Sequence, residues 1–329
     1  KMENVLINKR TISLILLLLY FGCVRLAAQE PPRTYIAHKT SEELIIDGQG
    51  KENSWQKAAW SDTFIDIEGV REPTYKTRMK MLWDDTCLYF FAQMEEPHVW
   101  ATLKMRDTVI FYNNDFEIFI DPDGDTHNYM EFEMNALNTL WDLFLTKPYR
   151  NHGKVLDSWD IQGIKTAVHI DGTLNNPKDK DIGWSVEIAI PWEVLKEANT
   201  HNNVPVKEYW RFGFSRVNWE FELTDGRYFR KRDENGNYLP ESNWVWSPQW
   251  VINMHEPEKW GYVYFSDRDV GEEERFTIPK DEHIKWHMYT AYRELLSSED
   301  NFESIKRKVQ SAPKSILGKP IKINFEQHG

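Results

Sequence analysis

The stretches Asp-Phe-Glu-Ile-Phe-Ile-Asp at residues 115–121 and Tyr-Met-Glu-Phe-Glu-Met-Asn at residues 129–135 alternate apolar with polar side chains. A period of two residues is typical of β-strands that bury one face. The first stretch runs into Asp-Pro-Asp-Gly-Asp at residues 121–125, which is dense in turn-forming residues. The sequence therefore predicts two neighbouring antiparallel strands joined by a tight acidic loop.

The alternation also assigns the side chains of these two strands to opposite faces. The apolar set, predicted to face the core, comprises Phe116, Ile118, Ile120, Met130, Phe132 and Met134. The opposite face carries carboxylates, an amide and rings, from Glu117, Phe119, Asp121, Tyr129, Glu131, Glu133 and Asn135. Such a mixture suits a sugar, because rings stack on the C–H face of a pyranose and polar groups bind its hydroxyls. The alternative is a solvated outer face, which is the default for an antiparallel sheet.

Strand patterns continue on both sides of this pair. Residues 75–81 alternate without exception, and a turn at residues 83–86 separates them from the apolar run 87–94, so these segments predict an antiparallel hairpin. Further strands are predicted at residues 139–145, 182–190, 210–214, 244–251 and 260–265. Nine or more short strands with few helices between them predict an all-β fold, an antiparallel β-sandwich.

Helical patterns are short and lie late in the chain. Pro191 opens a short helix over residues 192–198, and apolar spacing predicts an amphipathic helix within residues 281–308. The composition becomes rich in charge after residue 267, so we expect a β-sandwich over residues 29–267 and a tail with a helix over residues 268–329. A last strand is predicted at residues 321–325.

The N-terminal residues predict export. Lys9 and Arg10 precede an apolar run, Ile12–Phe21, that is too short for a stable membrane span and is followed by the small residues Ala27 and Ala28. We expect residues 1–28 to be a signal peptide that is cleaved off. The mature protein would then have no transmembrane span and would be periplasmic, secreted or on the cell surface. The alternative is a lipid anchor on Cys23 after cleavage at Gly22.

Charge and cysteine content argue against a nucleic-acid-binding protein and against a fold stabilised by disulfides. The 329 residues include 52 acidic and 40 basic side chains, a formal charge of −12, with no basic block interleaved with aromatic residues. Because such a chain repels phosphate backbones, nucleic acid is excluded as a partner. Cys87 is the only cysteine besides Cys23, so no intrachain disulfide can form once the signal peptide is removed. The hydrophobic core must then stabilise the fold without disulfide bonds.

Several motifs in one order resemble the family 9 carbohydrate-binding module, over about residues 35–267. They are Ile46-Asp47-Gly48, Trp55, Leu82-Trp83-Asp84-Asp85, Leu88-Tyr89-Phe90, the stretches 115–125 and 129–135, Ile190-Pro191-Trp192, Trp246-Ser247-Pro248, His255-Glu256-Pro257-Glu258 and Trp260-Gly261. The resemblance implies a non-catalytic β-sandwich that grips the end of a glucan or xylan chain between two aromatic side chains. It also implies a role in polysaccharide catabolism and a glycan-processing protein as partner.

Candidate stacking residues follow from this resemblance. Phe111 or Tyr112 stands shortly before the strand 115–121, where the family places its first aromatic platform. The second platform has no clear match, and Trp250 or His255 is the candidate to replace it.

The same resemblance implies residues that bind hydroxyl groups. Glu117 matches a sugar-contacting glutamate, and Arg216 stands where the family has a polar side chain near the end of a late strand. Glu133 occupies the position where the resemblance leads us to expect an arginine. Together with Asn135 and His255, these side chains are the predicted hydroxyl-binding set.

Two other functions are compatible with the sequence. Glu117 and Glu133 could be the acid and nucleophile of a glycoside hydrolase, a reaction that needs two carboxylates at a defined separation. Alternatively, the sandwich has no ligand and is a scaffold in a surface assembly.

The acidic loop is a candidate calcium site. Asp121, Asp123 and Asp125 could bind calcium as a cofactor, although Gly124 precedes the third aspartate and Phe132 replaces the bidentate glutamate, which excludes an EF-hand. A plain acidic turn is the alternative.

Overall fold

The computed structural model describes residues 31–199, 204–297, 303–304, 306–307, 315–316 and 319–320. The predicted signal peptide, including Cys23, and the predicted strand at residues 321–325 lie outside these residues. The described residues from Arg33 onward form one compact unit.

Strands dominate the described residues. They are β1 (Thr34–Lys39), β2 (Ile65–Asp66), β3 (Thr77–Trp83), β4 (Cys87–Glu95), β5 (Asp115–Asp121), β6 (Tyr129–Asn135), β7 (Leu140–Leu145), β8 (Val155–Leu156), β9 (Lys165–Asp171), β10 (Gly183–Pro191), β11 (Tyr209–Asn218), β12 (Phe221–Thr224), β13 (Arg227–Arg230), β14 (Ser242–Val245), β15 (Gly261–Asp269), β16 (Ser315–Ile316) and β17 (Lys319–Pro320). The helices are α1 (Asn53–Lys57), α2 (Trp192–Leu195) and α3 (Lys280–Ser297), with short 3-10 helices at Ile110–Tyr112, Tyr149–Asn151, Lys196–Ala198 and Pro257–Lys259.

The main sheet runs in the order β8-β7-β6-β5-β11-β15-β1-β3-β4-β10-β9. Its pairs are antiparallel except at β1, which pairs parallel with both β15 and β3. Strand β1 pairs with β15 along its length, with a register break between Ala37 and Lys39, and its end at His38 and Lys39 also pairs with β3. This strand therefore joins the two layers of a sandwich through continuous hydrogen bonding.

Aromatic rings from both layers meet in the core. The ring of Phe90, on β4, lies 6.2 Å from that of Phe212 and 5.9 Å from that of Phe214, both on β11. All six side chains that the alternation assigned to the core are buried there. The predicted all-β sandwich and the parity of its central strands are therefore confirmed.

Most predicted strands begin and end within a few residues of the predicted limits, and two elements need comment. The strand predicted at residues 244–251 is β14, which ends at Val245, and residues 252–255 further along the chain cross the outer face of β5–β7. The predicted long helix corresponds to α3, which ends at Ser297. No helix among the described residues is long and apolar enough to cross a membrane.

Helix α3 packs against the sandwich through polar contacts. Buried Glu282 accepts a hydrogen bond of 2.8 Å from the Tyr262 hydroxyl and lies 3.5 Å from the Arg211 guanidinium. Further along the helix, Arg293 donates to both carboxylate oxygens of Glu258, at 2.6 and 3.0 Å. The first half of the tail is thus part of the folded body.

A buried ion pair joins β11 to the end of β4. The Arg216 guanidinium is fully buried and donates to Glu96 Oε2 at 2.7 Å, to the Glu95 carbonyl at 2.9 Å and to Thr77 Oγ1 at 3.1 Å. It also lies 5.0 Å from the centre of the Trp244 ring. Arg216 therefore holds one end of the sandwich together.

Substitution of Glu96 tests this role. Glu96→Ala leaves the Arg216 charge buried without a counter-charge, so we expect the free energy of unfolding to fall by about 3–5 kcal/mol. Asp267→Ala is the matched control, because its ion pair with Lys207 is solvent-exposed and should contribute less than about 1 kcal/mol. Urea unfolding measures both values, and equal losses in the two variants would contradict the assignment.

Candidate functional site

The candidate site lies on the outer face of β5, β6 and β7. Direct cross-strand pairs join Glu117 to Glu133 and Glu133 to Trp141. The next pairs along the ladder join Phe119 to Glu131 and Glu131 to Leu143. Directly paired residues project from the same face of a sheet, so these carboxylates and rings form one surface.

This surface is covered rather than solvated. Only 4% of Glu117 and 1% of Glu133 are exposed. On one side the 3-10 helix Ile110–Tyr112 closes over it, and the backbone N–H of Phe111 donates to Glu133 Oε2 at 2.9 Å. On the other side residues 252–255 cross the face. The solvated outer face, the alternative raised by the sequence, is therefore wrong.

A cavity of about 350 Å³ remains between the sheet and its cover. Its aromatic lining comes from Phe111, Phe119, Trp141 and Tyr149. Its polar lining comes from Glu117, Glu131, Glu133, Arg150, Glu241, Asn243, Asn253 and His255. The volume lies at the small end of the range for ligand sites, and the mixture of rings with a few polar groups is typical of them.

Burial shifts the carboxyl groups of this face towards their protonated forms. Loss of solvation raises the pKa of Glu117 to about 7. Burial, and then the charges of the neighbouring carboxylates, also raises the pKa of Asp115, Glu131 and Glu133 well above the usual range. Perturbed carboxyl groups in a cavity mark a candidate binding or catalytic site.

His255 closes one end of the cavity as a neutral ring. Burial, with a smaller effect from the Arg150 charge, lowers its pKa to about 3. Its Nδ1 shares a hydrogen bond of 2.7 Å with the Tyr129 hydroxyl, and its Nε2 lies 3.9 Å from Glu131 Oε2. The Tyr149 ring packs edge-on at 4.5 Å between centroids. A neutral imidazole held in this way offers one donor and one acceptor.

Four of the predicted site residues come together. Phe111, Glu117, Glu133 and His255 all line the cavity. They reach it from four elements: the 3-10 helix Ile110–Tyr112, the strands β5 and β6, and the covering segment. Their roles in ligand binding stay predictions.

The other predicted residues lie elsewhere. Tyr112 is 46% exposed, with the Arg230 guanidinium 4.5 Å above its ring. Trp250 is 41% exposed and packs on the backbone of Gly69, which has no side chain to obstruct the ring. Neither ring is part of the cavity wall.

Two of the predicted polar residues are buried in supporting positions. Asn135 is fully buried and donates to the Leu103 carbonyl at 2.9 Å. It also accepts hydrogen bonds from the backbone of Leu137 and Thr139, so it orders the turn between β6 and β7. Arg216 is held in the ion pair described above.

Several lining residues were missed by sequence reasoning. Trp141 has the parity of Leu143 and Leu145, so the alternation of residues 139–145 could have placed it on this face. Tyr149 and Arg150 come from a 3-10 helix with no periodic pattern, so nothing in the local sequence points to them.

The acidic loop has an ordered turn of its own. Asp121 is buried, and its two oxygens accept the backbone N–H groups of Gly124 at 3.0 Å and Thr126 at 2.9 Å. Asp123 and Asp125 are exposed, and one oxygen of each of the three carboxylates lies within 4.8 Å of the others. The hydrogen bonds of Asp121 account for a stable turn without an ion, and calcium here stays a prediction.

Residues 46–263 match a family described as carbohydrate family 9 binding domain-like. No curated protein matches the chain. A putative carbohydrate-binding protein from Bacteroides uniformis ATCC 8492 is similar in structure, with a TM-score of 0.52 and 14% identity, covering 71% of this chain and 99% of its own.

A family 9 carbohydrate-binding module from Caldicellulosiruptor kristjanssonii is also similar. Its complex with cellotriose gives a TM-score of 0.44 and its complex with glucose gives 0.43. Both are 15% identical to this chain and cover 74% of it and 100% of the module. At such identities we compare only the fold.

The pH dependence of stability tests the buried carboxyl groups. The pKa of Glu117 rises from 4.5 to about 7 on folding, so its folded form binds more protons and its contribution to stability falls as pH rises between those values. His255 has the opposite effect on the pH dependence of stability. Because folding lowers its pKa, the unfolded form binds more protons there, and stability rises with pH up to about 6.5. Glu117→Gln removes the first effect, together with the repulsion by which the Glu117 charge raises the pKa of Asp115, Glu131 and Glu133, and it leaves His255 in place.

We therefore expect the difference in melting temperature, Glu117→Gln minus the parent protein, to increase by a few degrees between pH 5 and pH 8. Melting is followed by circular dichroism in the presence of a chelator. Glu68→Gln, at an exposed position, is the control and should track the parent. Parallel profiles for Glu117→Gln and the parent would contradict a desolvated Glu117.

Proposed function

Since the chain belongs to the carbohydrate family 9 binding domain-like family, whose match covers residues 46–263, we propose that it binds carbohydrate. The proposed site is the cavity between the outer face of β5–β7 and residues 252–255. The observation that carries this proposal is the combination of rings and desolvated carboxyl groups around one small cavity.

The rings supply apolar contact area. Phe111 and Trp141 both line the cavity, with ring planes 27° apart and centroids 6.4 Å apart. Their side chains are only partly buried by the protein, so apolar surface remains for a ligand to cover. The C–H face of a pyranose is a suitable partner for such rings.

The carboxyl groups supply hydrogen bonds to hydroxyls. A sugar hydroxyl both donates and accepts, and a carboxyl group close to its pKa can do the same. Burial brings the pKa of Glu117 to about 7, so near neutral pH this group is present in both forms. A buried polar group without a partner is costly, so a ligand that satisfies these groups gains affinity and specificity.

The size of the cavity favours a short ligand. A volume of about 350 Å³ accommodates one or two sugar rings rather than a long chain. We therefore propose an oligosaccharide or the end of a polysaccharide chain as the ligand.

The electrostatics favour binding over hydrolysis. A retaining glycosidase needs one carboxyl protonated and the other ionised as nucleophile. Here burial raises the pKa of both Glu117 and Glu133, and no ion pair among the described residues holds either one ionised. The two environments are not differentiated in the way that acid and nucleophile require.

The biological setting extends the proposal. The predicted signal peptide at residues 1–28 supports an exported protein, with residues 29–267 as the binding sandwich and residues 268–329 as a tail. Family membership supports a role in polysaccharide catabolism beside a glycan-processing protein. Cellotriose and glucose, which the Caldicellulosiruptor module binds, are the first ligands to try.

Calorimetric titration of the protein with gluco- and xylo-oligosaccharides tests the site. We expect saturable binding, and we expect Trp141→Ala and Phe111→Ala each to weaken it about tenfold or more, a loss of about 1.4 kcal/mol. Tyr112→Ala and Trp250→Ala are matched controls with rings outside the cavity and should bind as the parent does. The reverse ranking would move the site to those exposed rings.

The same mixtures separate the alternative functions. Release of reducing sugar that is lost in Glu117→Gln would identify a glycoside hydrolase. Absence of binding across the panel would favour a scaffold with a protein partner.

A further inference from the structure

Three carboxyl groups converge beside the cavity, where two of them, Glu117 and Glu133, line its wall. One oxygen from each of Asp115, Glu117 and Glu133 lies within 4.8 Å of the other two. All three side chains are buried. Among the described residues, no ion pair joins any of them to a basic side chain, and the nearby Arg216 is paired with Glu96.

Buried polar atoms in this cluster lack partners. Asp115 Oδ2 and Glu117 Oε2 have no hydrogen-bond partner, although the other oxygen of Asp115 accepts the backbone N–H of Val217 at 3.2 Å. The hydroxyl of fully buried Ser215 also lacks a hydrogen-bond partner, and it lies close enough to Glu117 to lower the pKa of that carboxyl group. Ser215 is the direct cross-strand neighbour of Glu117 and so shares its face.

Leaving such groups unsatisfied is costly. A buried carboxylate without a counter-charge, or a buried hydroxyl without a hydrogen bond, opposes folding unless a ligand compensates for it. The unpaired oxygens come from two neighbouring strands, β5 and β11, and lie on one face, which indicates that a ligand is held there.

We propose that Asp115, Glu117 and Glu133 bind a calcium ion at the wall of the cavity, with the Ser215 hydroxyl beside it. Calcium–oxygen distances are about 2.4 Å, so oxygens on opposite sides of one ion lie about 4.8 Å apart, the limit that this cluster meets. Calcium takes about six to eight oxygen ligands in flexible geometry, whereas magnesium demands a regular octahedron with distances of about 2.1 Å. The loose, carboxylate-rich set therefore favours calcium.

This site is separate from the acidic loop. In the loop, both oxygens of Asp121 are already occupied by backbone N–H groups, and the other two carboxylates are exposed to water. At the cavity, Asp115 and Glu117 each have one buried oxygen without a partner. The repulsion that raises the pKa of these carboxyl groups is the same repulsion that an ion would relieve.

An ion at this wall has a consequence for the ligand, which rests on the proposed function. Three protein carboxylates leave coordination positions open towards the cavity, and two adjacent sugar hydroxyls could occupy them. Sugar affinity would then depend on calcium.

Calcium titration of the whole protein, stripped with a chelator, tests the inference. Terbium is the probe: its luminescence is sensitised by nearby indole rings, and Trp141 is the direct cross-strand neighbour of Glu133. We expect one calcium-displaceable terbium site, and we expect Glu133→Gln and Asp115→Asn each to weaken calcium at least about tenfold. Asp123→Asn is the matched control in the loop and should leave this site unchanged.

Melting temperatures show whether a variant loses calcium binding because it loses a ligand or because it is less stable. In chelator, Glu133→Gln should melt no lower than the parent, because it removes one of several mutually repelling buried carboxylates. Calcium should raise the melting temperature of the parent and not that of the variant. No calcium binding by the parent, or binding that Glu133→Gln leaves intact and Asp123→Asn removes, would overturn the proposal.

Sugar titrations in calcium and in chelator separate this inference from the proposed function. Equal sugar affinity in both, without calcium bound at the cavity, would overturn the metal site and leave the sugar site standing. Calcium binding lost in Glu133→Gln, with no sugar bound under either condition, would support the metal site and contradict the sugar site. Selective binding of glucosamine in chelator, without a calcium site, would assign the cluster to an ammonium group and also overturn the proposal.

Discussion

Exclusion of water from one face of two adjacent strands is the constraint on which this structure depends. Glu117, on β5, and Glu131 and Glu133, on β6, point away from the sandwich core and would ordinarily be solvated. They are buried instead, and burial raises the pKa of each of them. A cavity, perturbed carboxyl groups and a need for a compensating ligand all follow from that one fact.

The cover is held by a second, smaller core. Phe119, Tyr129, Leu143, Leu145 and Trp260 form a hydrophobic cluster on the outer face. The Trp260 indole N–H donates to the Met254 carbonyl at 2.8 Å, and Tyr129 binds His255, so the covering segment is tied to the strands beneath it. Strands β5 and β6 therefore bury both of their faces, one in the sandwich and one under the cover.

The sequence predicts the sandwich and its central strands because their alternation is strict. Both β5 and β6 begin and end at the residues that the pattern indicates. Burial of the polar face was not predictable, because the cover comes from residues 252–255, whose pattern does not alternate and whose position depends on tertiary contacts. The same limit applies to Tyr149, which reaches the cavity from an irregular segment, and to Arg216, whose charge is paired through the fold rather than through local sequence.

A crystal structure of the protein with the oligosaccharide that it binds best, grown in calcium, tests the central claim most directly. The account predicts a sugar ring inside the cavity, in contact with Trp141 and with at least one of Glu117 and Glu133. Sugar seated on the exposed rings of Tyr112 or Trp250, with the cavity filled only by water, would contradict it.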